Sequence, residues 1–290
     1  MKFGICTAPG ALGDPARLLD TLAEVGADYI EWTVGSLMAS EGEFERLRAI
    51  ALAAPTKPEA FCVLLPPLQR ITGPNVRLAS VLEYAGEALR RIKAVDGQIV
   101  VLGSGSARRV PHGFSMDEAR RQFCEFAREL GPLALQNGVT VAVEPLNSHE
   151  DNLITSVGEG AAIVRNVDHP SIRLLADFYH MNEESESVQS IVDAGFLIRH
   201  THVADFGRVA PGFAKGGGAD FRAFFGELKA IGYDGRCSFE GKTDDLARQA
   251  RPLLLHLRAC CNLFKRGKVR LHAAQALHFR DSLWVISKDF

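Results

Sequence analysis

Short apolar runs alternate along this chain with longer stretches in which apolar residues recur every three or four positions. The short runs, bounded by turn-forming residues, read as strands near 2–6 (KFGIC), 28–32 (DYIEW), 59–64 (EAFCVL), 98–102 (QIVVL), 139–144, 173–177, 198–203 and 236–240. The longer stretches read as amphipathic helices at about 15–25, 42–53, 77–94, 116–137, 157–166, 185–194, 220–231 and 244–264. Leu18, Leu19, Leu22 and Val25 form one such stripe, and Gly26 stands where that helix has to stop. Strands alternating with helices favour a parallel sheet with crossover connections. Eight such units predict an α/β fold, a single (β/α)8 TIM barrel of roughly 250 residues, here residues 1–265. Residues 266–290 continue beyond it as a C-terminal extension with Trp284, Val285 and Ile286 as an apolar cluster. That extension suits a segment packed on the barrel, an oligomer contact or a reading-frame artefact, and the sequence leaves the three open.

Composition narrows the classes. A chain of 290 residues that is 47% hydrophobic, with formal net charge −2, buries a large core in one domain more readily than in two. The charge balance gives no nucleic-acid footprint, and no apolar run approaches the roughly 20 residues that span a bilayer. The opening MKFGICTAPG lacks the h-region and cleavage site of a secretory signal, so the expected compartment is cytoplasmic. Cys6, Cys62, Cys124, Cys237, Cys260 and Cys261 are scattered with no CxxC spacing. They are expected to be buried reduced thiols rather than a disulfide framework or a structural zinc site.

Four of the strand-like runs end in a metal-binding or acid–base side chain: TVAVE at Glu144, RLLAD at Asp177, IRHTH at His202 and RCSFE at Glu240. In a barrel these C-terminal ends meet on one rim. A lone carboxylate there is as readily the partner of an arginine, and a lone histidine is more often structural. Four together change the weighting, because three carboxylates and an imidazole repel or desolvate one another unless a divalent cation lies between them. Such a hard donor set suits Mn²⁺ foremost, then Mg²⁺ or Co²⁺, with Zn²⁺ a poorer match. His200 and His202 share one face of their strand, and His202, nearer the C-terminal end, is the expected ligand, leaving His200 hydrogen-bonded one layer deeper. His180 follows Asp177 by three residues and shares its side of the loop or of a helical first turn.

Long irregular stretches at 65–76, 103–115 and 206–219 follow strands, where barrel enzymes build their sites. Within the last, the glycines of GFAKGGGAD (212–220) suit either a close approach to a ligand or a surface linker. GSGSARR at 103–109 lacks the full GxGxxG pattern, which argues against NAD. Glu31 also faces the mouth and is expected to pair with a cavity arginine. Arg108, Arg109, His112 and His149 lie on rim loops and are each expected to be solvated.

VAVEPLN with Glu150 after it, DFYHM, HTHVADFGR with PG, and GYDGRCSFE occur in order and with matching spacing. Through them residues 1–264 resemble the xylose isomerase-like barrel superfamily, in particular its sugar isomerase/epimerase branch with the D-tagatose and D-psicose 3-epimerases. The resemblance implies metal ligation by Glu144, Asp177, His202 and Glu240. It implies substrate contacts from His180 and Arg208 on the carbonyl side and from Glu150. The chemistry it implies is proton transfer beside the carbonyl of a ketose or ketose phosphate, through a metal-stabilised enediolate, with Glu144 and Glu240 as acid and base. Opposed faces give a 3-epimerase; a proton shuttled between neighbouring carbons gives an aldose–ketose isomerase. The runner-up is an inosose dehydratase or keto-inositol isomerase on the same metal site, and outside catalysis a barrel acting as a binding module. An endonuclease is disfavoured, because a trinuclear zinc site needs more histidines at strand ends. The expected partner is a small-molecule sugar, with no nucleic acid or membrane and with a homo-oligomer compatible.

Overall fold

The computed structural model describes residues 1–263. The extension at 266–290 and its apolar cluster lie outside the described residues. Strands β1 (Lys2–Thr7), β2 (Tyr29–Thr33), β3 (Pro58–Cys62), β4 (Ile99–Leu102), β5 (Thr140–Val143), β6 (Ile172–Asp177), β7 (Ile198–Val203) and β8 (Arg236–Phe239) each pair with the next in parallel. β8 pairs back onto β1, with Phe3 opposite Cys237, so the barrel closes. Each strand overlaps a run read from the sequence.

Helices Pro15–Glu24, Glu41–Ala53, Leu78–Ala94, Met116–Asn137, Val157–Val167, Gln189–Ala194, Arg222–Ala230 and Leu246–Leu263 cover the sheet's outer face. Their starts are chemically marked: Asp14, Ser115 and Ser156 accept hydrogen bonds from the backbone N–H three residues on, as N-caps do. The helix expected at 185–194 begins only at Gln189. Ser185 takes a left-handed φ of 52°, which a continuous helix does not tolerate. Three short helices, Val34–Leu37, Gly105–Arg108 and Phe178–Glu183, follow β2, β4 and β6; the last is the helical first turn allowed for after Asp177, and the other two were not expected, being too short to show a periodic stripe.

Side chains alternate along each strand. One set faces the helices and forms the main core; the other fills the lumen, where Tyr29, Ala60, Cys62, Ile99, Val101, Ala142 and Leu175 pack together as an apolar floor. Tyr29 reaches across this floor because Gly4 leaves it room: a Cβ at Gly4 would lie 2.6 Å from the Tyr29 ring. The Tyr29 hydroxyl meets the Ser238 Oγ at 2.6 Å. Towards the C-terminal end of the strands the lumen turns polar, with Glu31, His200, His202 and Ser238 all fully buried.

Arg108 corrects an expectation: it is fully buried rather than solvated. Its Nε donates to Asp151 Oδ2 at 2.7 Å, its Nη1 to the Leu102 carbonyl at 2.9 Å and its Nη2 to the Glu144 carbonyl at 2.7 Å. One guanidinium thus fastens the ends of β4 and β5 to the loop that follows β5. Asp151, also fully buried, offsets its charge. Removing one partner of a buried ion pair strands the other, so Asp151→Ala should destabilise the fold by about 3–5 kcal/mol. Urea denaturation of the two proteins checks this, and a loss below about 1 kcal/mol would contradict the structural role assigned to the pair.

Candidate active site and metal centre

Glu144 follows β5, Asp177 ends β6, His202 lies near the end of β7 and Glu240 follows β8, so all four stand at the C-terminal mouth. His202 is the hub. Its Nδ1 lies 3.0 Å from Glu144 Oε1, 3.7 Å from Glu240 Oε2 and 3.9 Å from Asp177 Oδ2. On the other side its Nε2 lies 3.0 Å from Glu31 Oε1. Glu31 also receives His200 Nε2 at 2.8 Å and the Ser238 hydroxyl at 2.5 Å. The expected Glu31–arginine pair is therefore replaced by two histidines from β7, reached across the lumen. His200 sits one layer below His202, hydrogen-bonded to Glu31.

The electrostatics follow from this crowding. Burial works against a charge on His202, but Glu31, Glu240 and Glu144 outweigh it and raise the ring well above the ordinary histidine range. Burial likewise opposes ionisation of Glu31, yet His202 and His200 hold its carboxyl far below the usual range. The two rim glutamates are pushed apart. For Glu144, burial is overcome by the adjacent His202 and its carboxyl is lowered; for Glu240, burial raises the carboxyl, helped by the Glu144 and Asp177 charges.

Asp177 has two roles. Its Oδ1 caps the helix Phe178–Glu183, accepting from Tyr179 N at 2.6 Å and His180 N at 3.2 Å. Its Oδ2 is buried without a hydrogen-bond partner. His180 is oriented by Asn147: the Asn147 backbone N–H donates to His180 Nδ1 at 3.1 Å, and its side-chain amide approaches the same nitrogen at 2.9 Å. A backbone N–H can only donate, so Nδ1 is the acceptor and the proton of the neutral ring resides on Nε2. That Nε2 is buried, unpartnered and 4.0 Å from Asp177 Oδ2. Carboxylate oxygens of Glu144, Asp177 and Glu240 and a ring nitrogen of His180 all lie within 4.8 Å of one another, a grouping that could hold a cation. In this tautomer His180 presents an N–H donor towards the cluster, whereas His202 Nδ1 points among the three carboxylates. Orphaned buried oxygen, converging carboxylates and one imidazole fit a hard divalent ion.

Arg208 closes the site from the loop after β7. Its Nη2 donates to Glu240 Oε2 at 2.6 Å and its Nη1 to Glu150 Oε1 at 2.9 Å, with the guanidinium 5.4 Å from the Tyr179 ring centre. Glu150 also accepts from the Asn147 amide at 3.0 Å. Arg208 has φ of 58° and Val63, on the opposite rim, 56°. A left-handed β-branched residue is uncommon, and such strain gathers at functional sites. A cavity of about 160 Å³ opens among Val63, Leu65, Leu146, Glu144, Arg208 and Glu240. Gly103 also lines it, and a Cβ there would lie 2.0 Å from Glu144 Oε2. Arg109, His112 and His149 are exposed.

Several residues here were not singled out from the sequence. Asn147 lies inside VAVEPLN without a chemical mark of its own. Gly103 was read only as part of a failed nucleotide motif. Asp205 organises the glycine-rich loop, its carboxylate accepting from Phe206 N at 2.8 Å, Gly212 N at 3.1 Å and Ala219 N at 2.7 Å.

Residues 19–260 match the family described as the xylose isomerase-like TIM barrel. An L-ribulose 3-epimerase of Mesorhizobium japonicum is 34% identical over 254 residues, covering 83% of this chain and 80% of that protein. A 3-dehydro-D-guloside 4-epimerase of Escherichia coli is 34% identical over 149 residues, covering 50% of this chain. With that relative and two further curated epimerases, the match spans 56%, 41% and 35% of their own lengths, about half or less. The D-psicose 3-epimerase of Clostridium cellulolyticum, solved with D-tagatose, shares the fold: TM-score 0.80 at 22% identity, covering 90% of this chain and 99% of that one. No helix among the described residues is long and apolar enough to cross a membrane. A match that runs through nearly the whole barrel, on strands whose closure is seen directly, establishes the kinship: the chain belongs to the xylose isomerase-like TIM-barrel family.

Proposed function

We propose that this chain is a divalent-metal-dependent sugar epimerase or isomerase acting on the carbon next to a ketone, with a ketose or ketose phosphate as substrate. One observation carries the reading: Glu144 and Glu240 line one cavity, and His202 Nδ1 stands within 3.0 Å of the first, 3.7 Å of the second and 3.9 Å of Asp177. The relatives' names support it. L-ribulose 3-epimerase and 3-dehydro-D-guloside 4-epimerase differ in the carbon inverted, yet each inverts a centre adjacent to a ketone.

Glu144, Asp177, His202 and Glu240 would hold the ion, Mn²⁺ by preference. Bound there, it supplies Lewis-acid polarisation of the substrate's carbonyl and neighbouring hydroxyl. The chain's own residues do the rest. One rim glutamate takes the proton from the carbon beside the ketone, leaving an enediolate. The other, protonated, delivers a proton to the opposite face, and the pair is reset when the first glutamate releases its proton to solvent and the second takes one up. His180 Nε2–H and the Arg208 guanidinium donate to substrate oxygens that gain negative charge, and Glu150 fixes Arg208 for that task. Floor residues such as Val101 and Leu175 keep water from reaching the enediolate from below.

Solvent-deuterium incorporation into unphosphorylated and phosphorylated ketopentoses and ketohexoses, and into keto-glycosides, tests the function directly. Exchange should disappear on chelation and return with Mn²⁺. A chain that binds the ion yet exchanges none of these compounds, nor an inosose, would instead be a binding module.

Four substitutions then probe the assignment. Glu144→Gln and Glu240→Gln should each lower turnover by about 10²–10⁴-fold. Each should still exchange deuterium into one epimer only, and opposite epimers for the two variants; exchange into the same compound would indicate one-base isomerisation. Arg208→Ala should lower kcat by about 10²-fold while Mn²⁺ affinity by titration calorimetry changes little. Gly103→Ala should displace the Glu144 carboxylate and cut kcat/KM by about 10²-fold. Its urea midpoint should stay near that of the unaltered chain, and unchanged kcat/KM would mean that Glu144 tolerates the crowding.

A further inference from the structure

Beside the carboxylate cluster stands a pair of thiols. Cys6 of β1 and Cys62 of β3 both point into the lumen, and their Sγ atoms are 3.1 Å apart. A carboxylate oxygen of Glu240 joins them, so that the three ligand atoms lie within 4.8 Å of one another. Cys62 is buried and Cys6 partly so. Cys6 also lines a separate cavity of about 360 Å³, together with Asp244 and Asp245, whose charges favour the approach of a cation from solvent.

Two thiols this close raise the question of a disulfide, and the sheet answers it. β2 lies between them, pairing Cys6 with Glu31 on one side and Thr33 with Cys62 on the other. Two strand spacings of about 4.8 Å separate the backbones by roughly 9 Å. Disulfides hold their Cα atoms about 4.4–6.8 Å apart, so closing the bond would squeeze β2 out of its ladders. A bridging ion needs no such collapse. Two thiolates on a tetrahedral ion at about 2.3 Å stand roughly 3.8 Å apart, so the sulfurs need only separate by about 0.7 Å.

We propose that Cys6, Cys62 and Glu240 form a second, soft cation site at the barrel mouth that takes Zn²⁺ or Cd²⁺ in preference to Mn²⁺ or Mg²⁺. Thiolates select soft ions, whereas the oxygen-rich cluster next to them selects hard ones. Three protein ligands leave a fourth position for water, the pattern of an open rather than a closed zinc site. Each thiol that ligates gives its proton to the buffer, and no electron moves. Because Glu240 belongs to both sets, a soft ion draws that carboxylate away from the proton-transfer pair. This inhibitory consequence, unlike the binding, rests on the function proposed above.

The test uses the full chain, stripped of metal under reductant and titrated with Cd²⁺, whose bonds to thiolate give an ultraviolet charge-transfer band. One equivalent should produce the band, and an excess of Mg²⁺ should leave it in place. Cys6→Ser and Cys62→Ser should each weaken Cd²⁺ binding by more than the roughly 10–100-fold that losing a ligand's supporting partner costs. Cys260→Ser should leave the band unchanged, although Cys260 Sγ lies 3.6 Å from His256 Nε2 and is the competing thiol. A band that survives in both Cys6→Ser and Cys62→Ser, no band in the unaltered chain, or Cys6 and Cys62 recovered as a disulfide after oxidised glutathione would each overturn the proposal. If the band behaves as expected but Cd²⁺ leaves turnover intact, the soft site stands and the shared role of Glu240 falls.

Discussion

Glu144, Asp177 and Glu240 converge on a space largely shut off from water, and the rest of the mouth is arranged around the cost of that convergence. An isolated buried carboxylate is far from stable as an anion unless it is paired and hydrogen-bonded. Here His202 lies among all three, Arg208 grips Glu240, and Glu31 steadies His202 from below. The arrangement is balanced rather than relaxed. Glu144 is driven towards ionisation and Glu240 away from it, because the imidazole stands closer to one than to the other. Asp177 keeps one oxygen with no partner at all. Asp151 Oδ1 is likewise without a partner in a structural ion pair, so it is the convergence of three carboxylates on the orphaned Asp177 oxygen, rather than the orphan alone, that makes the cluster read as a binding site.

Holding that cluster requires a stiff frame, and the frame is built from interactions that look unrelated to it. Arg108 and Asp151 join the ends of β4 and β5 behind Glu144. Asp205 gathers three backbone amides and thereby fixes the loop that carries Arg208. Arg208 and Val63 retain left-handed backbone angles on facing sides of the cavity. Conformations of that kind persist only where their surroundings over-determine them, and the ion pairs of Arg208 with Glu150 and Glu240 supply that constraint for one of the two.

The eight strands and their helices could be read from the sequence because burial on both faces of a parallel barrel leaves compact apolar runs, and the crossover helices leave long stripes. Glu144, Asp177, His202 and Glu240 were legible for a topological reason: once the strands are placed, their last residues have to meet. Glu31 was only half legible. Its position at the mouth followed from β2, but its partners come from β7, on the far side of the lumen, and the choice of histidine over arginine depends on how the barrel closes. Arg108 and Arg109 show the limit most plainly. They are neighbours at the end of the short helix Gly105–Arg108 with the same side chain, and one turns fully inward while the other stays in solvent. Outside a regular strand no period tells them apart. The meeting of Cys6 with Cys62 was hidden for the same reason as the Glu31 pair, since both depend on lumen contacts between strands that are not neighbours.

The alternation of side chains along the strands finally explains why hard and soft donors lie side by side. Cys6, Glu31 and Cys62 come from three consecutive strands and all face inward, with Glu31 opposite both Cys6 and Ala60 in the ladders. His202 lies opposite Asp177 on one side and Ser238 on the other. The thiols thus lie on the side of β1 and β3, with the Glu31 carboxylate of β2 between those strands reaching across to His202, and the remaining oxygen and nitrogen donors lie on the side of β5 to β7. Glu240, following β8 between these two sides, is the carboxylate with access to each. The same closure that brings the catalytic candidates together therefore places a thiol pair within reach of one of them. A rim that binds one kind of ion strongly has to be judged by how it treats the other.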